Sequence, residues 1–129
     1  MIFLDTGFLF VLLNSSEKFH ENAIEIYEFY RKLNSIKVIN SVVLTEILNK
    51  SHKLNLSSSE IFDVLKKDTK IIYLSYKDFL EALNLNMLYG GAINYSDCTI
   101  LKTMQDLGIN NILSFDSDFD KIRGIERIH

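Results

Sequence analysis

An alternation along the chain limits what it can fold into more than any other feature. Five short runs rich in β-branched or aromatic residues, IFLD (2–5), KVIN (37–40), KIIYL (70–74), NILSF (111–115) and ERIH (126–129), are separated mostly by segments whose apolar residues recur at helical spacing. Strands that alternate with helices run parallel, because each crossover carries the chain back to the same end of the sheet. The expected architecture is therefore α/β: a three-layer α/β/α sandwich with a central parallel sheet. A length of 129 residues fits a single domain spanning 1–129, and 47% apolar residues are enough to bury a core.

The intervening segments carry their own signals. In EKFHENAIEIYEFYRKL, Phe19, Ala23, Tyr27 and Tyr30 form an apolar stripe opposite Glu, Asn and Lys. SVVLTEILNKSHKL is expected to start at an N-cap on Ser41, and SSSEIFDVLKK has Ser57 followed by Glu60 in a capping-box pattern. SYKDFLEALNLNMLYG lines up Phe79, Leu83 and Met87, and SDCTILKTMQDLG ends at Gly108 as a C-cap. In open α/β sheets a site lies beyond the carboxyl ends of the strands. Asp5 closes the first strand and Asp116 directly follows the fourth.

Charge and cysteine content bound the function. Fourteen basic against 17 acidic residues leave a formal charge of -3, so a polyanionic partner would need a local basic patch or a bound cation. The single cysteine, Cys98, allows no intrachain disulfide and suits a reducing, cytoplasmic setting. The apolar opening MIFLDTGFLFVLL is broken by Asp5 and lacks basic residues before it, which argues against a signal peptide, and it is too short for a membrane span.

Two acids sit on the wrong side of their helices. Glu46 lies three and four residues from Val43 and Val42, and Asp97 shares a face with Ile100, Leu101 and Met104. Asp97 could equally cap its helix, with Ser96 as a rival, and Glu46 could be a boundary residue whose stem covers apolar surface. A buried carboxylate has to be protonated, paired or facing a cation, and no lysine or arginine is placed to pair with Glu46. Asp5, Glu46, Asp97 and Asp116 could meet at one end of the sheet. Their repulsion would be relieved by a hard divalent ion such as Mg²⁺ or Mn²⁺, which suits phosphodiester hydrolysis.

Rival motifs fail on inspection. DSDFDKIRGIER begins like a calcium loop, but Lys121 replaces the glycine at its sixth position and Arg127 the glutamate at its twelfth. LDTG at 4–7 occurs once, in a chain rich in helices, and so does not fit the all-β aspartic proteases with their paired aspartates. An aspartyl-phosphate enzyme would need an acid where Gly7 stands. His20, His52 and His129 share no ligand spacing, and YGGAIN lacks the Lys-Ser/Thr of a phosphate loop.

Taken in order, FLDTGFLF, EKFHENAIEIY, VVLTEIL, NYSDCTILKTMQDLG and ILSFDSDFDKI resemble the successive elements of the PIN-domain ribonucleases, and most closely the VapC-type toxins of toxin–antitoxin pairs. The resemblance covers nearly the whole chain. It implies a Mg²⁺- or Mn²⁺-dependent endoribonuclease in which Asp5, Glu46, Asp97 and Asp116 are metal ligands or water activators. It also implies a rim or supporting role for Asp118, Ser114 and Thr6, and leaves Asp120 as a solvated residue. An antitoxin protein and a homodimer follow as expected partners, with RNA steered by Lys50, Lys53, Lys121 and Arg123 unless these simply form a solvated face. Gly7 departs from the Ser or Asn usual after the Asp-Thr pair, which would loosen a hydrogen bond around Asp5. The alternatives are a PIN fold kept as a binding module or inactive toxin remnant, and a nuclease of RNA maturation.

Overall fold

The computed structural model describes residues 1–129. Its elements are β1 (Ile2–Leu4), α1 (Thr6–Leu13), α2 (His20–Lys32), β2 (Lys37–Asn40), α3 (Ser41–Asn49), α4 (Ser51–Leu54), α5 (Ser58–Asp68), β3 (Lys70–Ile72), α6 (Tyr76–Leu88), α7 (Tyr95–Leu107), β4 (Asn111–Leu113) and β5 (Glu126–Ile128). A 3₁₀ turn, Ser117–Lys121, joins the last two strands. All five strands pair in parallel, in the order β3-β2-β1-β4-β5. The expected α/β sandwich is what forms.

The sheet order follows from burial. Ile2, Phe3 and Leu4 are all fully buried, as a strand covered on both faces requires, and β1 takes the centre. From β1 the chain winds outward to β2 and β3, then crosses back to lay β4 on the other side of β1. Right-handed crossovers in opposite directions put the intervening helices on opposite faces. Accordingly α1 packs with α2 and α3, and α3 with α5, while α6 and α7 form a separate pair. The reversal of winding leaves a crevice at the carboxyl ends of β1 and β4.

Four local expectations are corrected. The sequence reading placed no helix over Thr6–Leu13, yet α1 forms there. TGFLFVLL has no polar side chain after Thr6, so no amphipathic period marks it, although only Phe8 and Leu9 are buried and Phe10 to Leu13 are half-covered. The N-cap of α3 is Asn40 instead of Ser41: the Asn40 Oδ1 accepts from the Val42 and Val43 N–H groups at 3.1 and 3.0 Å, and the Ser41 hydroxyl is left to accept from Leu74 N–H. The apolar stripe of α6 faces outward, with Phe79, Leu83 and Met87 40%, 46% and 71% exposed. Small, buried Ala82 makes the close approach instead, and the Tyr95 hydroxyl of α7 fastens α6 by donating to the Phe79 carbonyl at 2.7 Å. Phe19, finally, precedes α2 and is 51% exposed, because the helix starts only at His20.

Other signals are met. Ser57 and Glu60 form a reciprocal capping box, and Gly108 ends α7 in the left-handed conformation at φ 66°. Cys98 is buried in the core, and no helix is long and apolar enough to cross a membrane.

Candidate active site at the carboxyl edge of the sheet

Four elements deliver one acid each to the crevice. Asp5 leaves β1 as the N-cap of α1, its Oδ1 accepting from the Phe8 N–H at 2.8 Å. Its Oδ2 accepts a hydrogen bond from the hydroxyl of Ser114, the buried residue that follows β4. The same Ser114 oxygen accepts from the Asp116 N–H at 3.0 Å, so one side chain ties Asp5 to the backbone carrying Asp116. Asp116 caps the 3₁₀ turn by accepting from Asp118 N–H at 2.9 Å. Glu46, on α3, is held by the Thr6 hydroxyl, which donates to its Oε1 at 2.9 Å.

Asp97 occupies the first turn of α7. The cap of that helix is Asn94, whose side chain accepts from the Asp97 N–H at 2.8 Å, so neither Asp97 nor Ser96 is the N-cap. The Asp97 carboxylate is thereby freed from capping. Its Oδ2 is the only buried side-chain nitrogen or oxygen of the molecule without a hydrogen-bond partner.

Asp5, Glu46, Asp97 and Asp116 line one open pocket of about 450 Å³, whose apolar wall includes Phe10, Phe19 and Phe115. No lysine or arginine forms an ion pair with any of the four. Burial, chiefly, pushes the Asp5 carboxyl up to about 6, against the pull of its hydrogen bonds from Ser114 and Phe8. Burial also pushes Asp97 up to about 7, reinforced by the negative charges of Asp116, Asp5, Glu46 and Asp118. Carboxyl oxygens of Asp97, Asp116 and Asp118 lie within 4.8 Å of one another. An all-oxygen donor set with one buried, unpartnered oxygen fits a hard divalent cation.

The geometry sharpens the sequence reading in three places. Asp118 shares a carboxylate trio with Asp97 and Asp116, although Lys121 also pairs with it at 2.9 Å. Asp120 is not simply solvated: both its oxygens accept from Arg127 at 2.9 Å, which ties the 3₁₀ turn to β5. At Gly7 a Cβ would meet Asp5 Oδ1 at 3.7 Å, an ordinary contact, so a serine would fit. Of the histidines, His20 hydrogen-bonds through Nδ1 to the Val11 carbonyl at 2.8 Å, and His52 and His129 are exposed.

Two contributors escaped sequence reasoning. Asn40 is fully buried and, besides capping α3, extends its amide toward the hydroxyls of Thr99 and Thr103 on α7 at 3.4 and 3.2 Å. It thereby fixes the helix carrying Glu46 against the helix carrying Asp97. The polar Asn directly before an apolar helical run was the available signal. The aromatic wall, by contrast, is assembled from distant segments and has no sequence signature.

The PIN domain model matches residues 2–125 of the chain. Among solved structures, the fold is similar to that of VapC20 from Mycobacterium tuberculosis, a sarcin-ricin loop cleaving toxin, with a TM-score of 0.76 and 17% identity over 94% of each chain. It is also similar to VapBC2 from Rickettsia felis, solved bound to a DNA fragment from its promoter, with a TM-score of 0.69 and 21% identity over 99% of this chain and 98% of that one. No curated protein matches the sequence.

Proposed function

Because the chain belongs to the PIN domain family, we propose that it is a Mg²⁺- or Mn²⁺-dependent endoribonuclease acting as the toxin of a toxin–antitoxin pair. The observation that carries the reading is the buried, unpartnered Asp97 Oδ2 in a pocket that also contains Asp5, Glu46 and Asp116. Those four residues would hold the cation, with Asp118 at its margin. When bound, the ion offsets the charge of the cluster, acidifies a water and stabilises negative charge on the phosphoryl oxygens.

The chain's own groups do the rest. Ser114 and the Phe8 N–H fix both oxygens of Asp5, so that ligand is oriented before any substrate arrives. Thr6 occupies Glu46 Oε1 and leaves Oε2 free, either to hold the cation or to accept the proton of the attacking water. Water oxygen then bonds to phosphorus as the opposite P–O bond breaks, and the leaving oxygen takes a proton from solvent. The likeness in fold to VapC20 and VapBC2 supports the toxin reading, with an antitoxin protein and a homodimer as expected partners and the cytoplasm as the site of action.

The test is cleavage of RNA by purified protein. We expect cleavage with Mg²⁺ or Mn²⁺, loss on chelation and loss in Asp97→Asn. Activity that survives both chelation and the substitution would overturn the metal mechanism. Absence of growth arrest on expression of the wild type would overturn the toxin reading.

A further inference from the structure

The wall of the pocket carries a feature that the carboxylate chemistry does not use. Phe8, Phe115 and Phe19 form a stack of three rings, with centroids 5.5 Å and 5.7 Å apart and interplanar angles of 17° and 21°. The stack begins in the core, where Phe8 has no exposure, and ends at Phe19, which is 51% exposed in the same pocket as the four acids. Phe19 stands at the N-cap of α2 and makes no side-chain capping bond there. Two lysines accompany the aromatic wall. Lys18 Nζ lies over the Phe19 ring, 5.5 Å from its centroid, on an unpaired side chain that a stacked base would move aside, and Lys50 Nζ lies over the ring of Phe10, which also lines the pocket, 5.0 Å from its centroid.

We propose that Phe19, backed by Phe115 and Phe8 and flanked by Lys18, is a base-stacking subsite that takes one unpaired nucleobase next to the phosphodiester held by the carboxylates. A half-exposed ring costs solvation that a planar aromatic ligand would recover, and the parallel stack behind it holds its plane fixed. Any nucleobase offers a π-face, so such a platform is sequence-tolerant but demands that the base be out of a helix. The lysines supply positive charge for the adjoining phosphates, on a chain whose formal charge is -3. The substrate class is thus RNA with an unpaired nucleotide at the cut, in a loop, bulge or single strand. The inference rests on the ribonuclease reading and adds the residue that selects within it.

The experiment measures binding separately from cutting. In an Asp97→Asn background, which removes one negative charge and prevents cleavage, a single-stranded RNA oligonucleotide containing 2-aminopurine reports stacking by fluorescence quenching. Quenching is expected for the single strand and not for the same strand in a duplex. Phe19→Ala should remove the quenching and weaken binding about tenfold or more, by the usual strength of base–aromatic stacking. Phe19→Leu should behave like Phe19→Ala, and Phe19→Trp should retain quenching. Unchanged affinity in Phe19→Ala, full binding by Phe19→Leu, or equal binding of duplex would overturn the subsite. In proteins with Asp97 intact, Phe19→Ala should raise KM more than it lowers kcat. Absence of cleavage by the wild type, with Phe19-dependent quenching retained, would overturn the nuclease reading and leave the stacking subsite standing.

Discussion

The molecule holds two trios of carboxylates, and only one is neutralised by the chain itself. Asp78, Glu81 and Asp106, between α6 and α7, bring oxygens within 4.8 Å of one another, as do Asp97, Asp116 and Asp118. In the first trio Lys102 pairs with both Glu81 and Asp106, Lys77 lies 3.7 Å from Glu81, and Asp78 is occupied in capping α6. In the second, only Asp118 has a lysine, and Asp97 keeps an oxygen with no partner. Proximity of acids is therefore not what distinguishes a site. What distinguishes it is that the fold has brought the charges together and withheld the cation.

The largest effect should come from removing the unneutralised charge. Asp97→Asn is expected to lower kcat for RNA cleavage by about 10²-fold or more. The same substitution should raise the stability of the metal-free protein at neutral pH, by roughly 1–2 kcal/mol once partial exposure is allowed for. Activity and melting temperature should thus move in opposite directions, and a variant that lost both would mean that Asp97 is mainly structural.

Next in size is the pH dependence of the metal-free protein. The folded-state values of about 6 for Asp5 and about 7 for Asp97 lie above the ordinary 3.8, so the native state binds more protons than the unfolded chain between them. Their contribution is complete below about pH 4 and is lost as pH rises through 6 to 7. Thermal melts should fall by several degrees over that window, at about 2–8 °C for each kcal/mol, and Mn²⁺ should restore the loss above it. A flat profile would remove the contrast between the two trios.

Ser114→Ala probes the support of the site. It deletes the donor to Asp5 Oδ2 and the acceptor for Asp116 N–H, and should weaken Mn²⁺ binding by calorimetry about 10- to 100-fold. The smallest effect is expected at the other trio. Lys102→Ala should cost about 1 kcal/mol in denaturant unfolding and leave cleavage rates unchanged, because it touches only the self-neutralised acids. A comparable loss of activity would show that the two trios are coupled through α7.

The strands and most helices were legible because their signals are local. KVIN and NILSF announce themselves by β-branched composition, and Ser57 with Glu60 by a spacing of three. The four acids were legible as residues out of place, at strand ends or on apolar helix faces, and all four line one pocket. What stayed hidden depends on neighbours in space. Helix α1 carries no polar side chain after Thr6, so it has no polar face to write a period. The outward stripe of α6 obeys helical spacing as faithfully as a buried one would, and only the contact through Ala82 decides which face turns inward. Phe19 was placed on a helix stripe because the start of α2 could not be located to within one residue. The Ser114–Asp5 bond joins residues 109 positions apart, a pairing that no local pattern encodes.

That bond also bears on timing. Under the proposed activity, a growing chain carries Asp5 first, Glu46 and Asp97 later and Asp116 last, and the second oxygen of Asp5 is held only after the fourth strand has docked beside the first. A growing chain that ends before residue 114 lacks both Ser114 and Asp116, and so has no assembled centre.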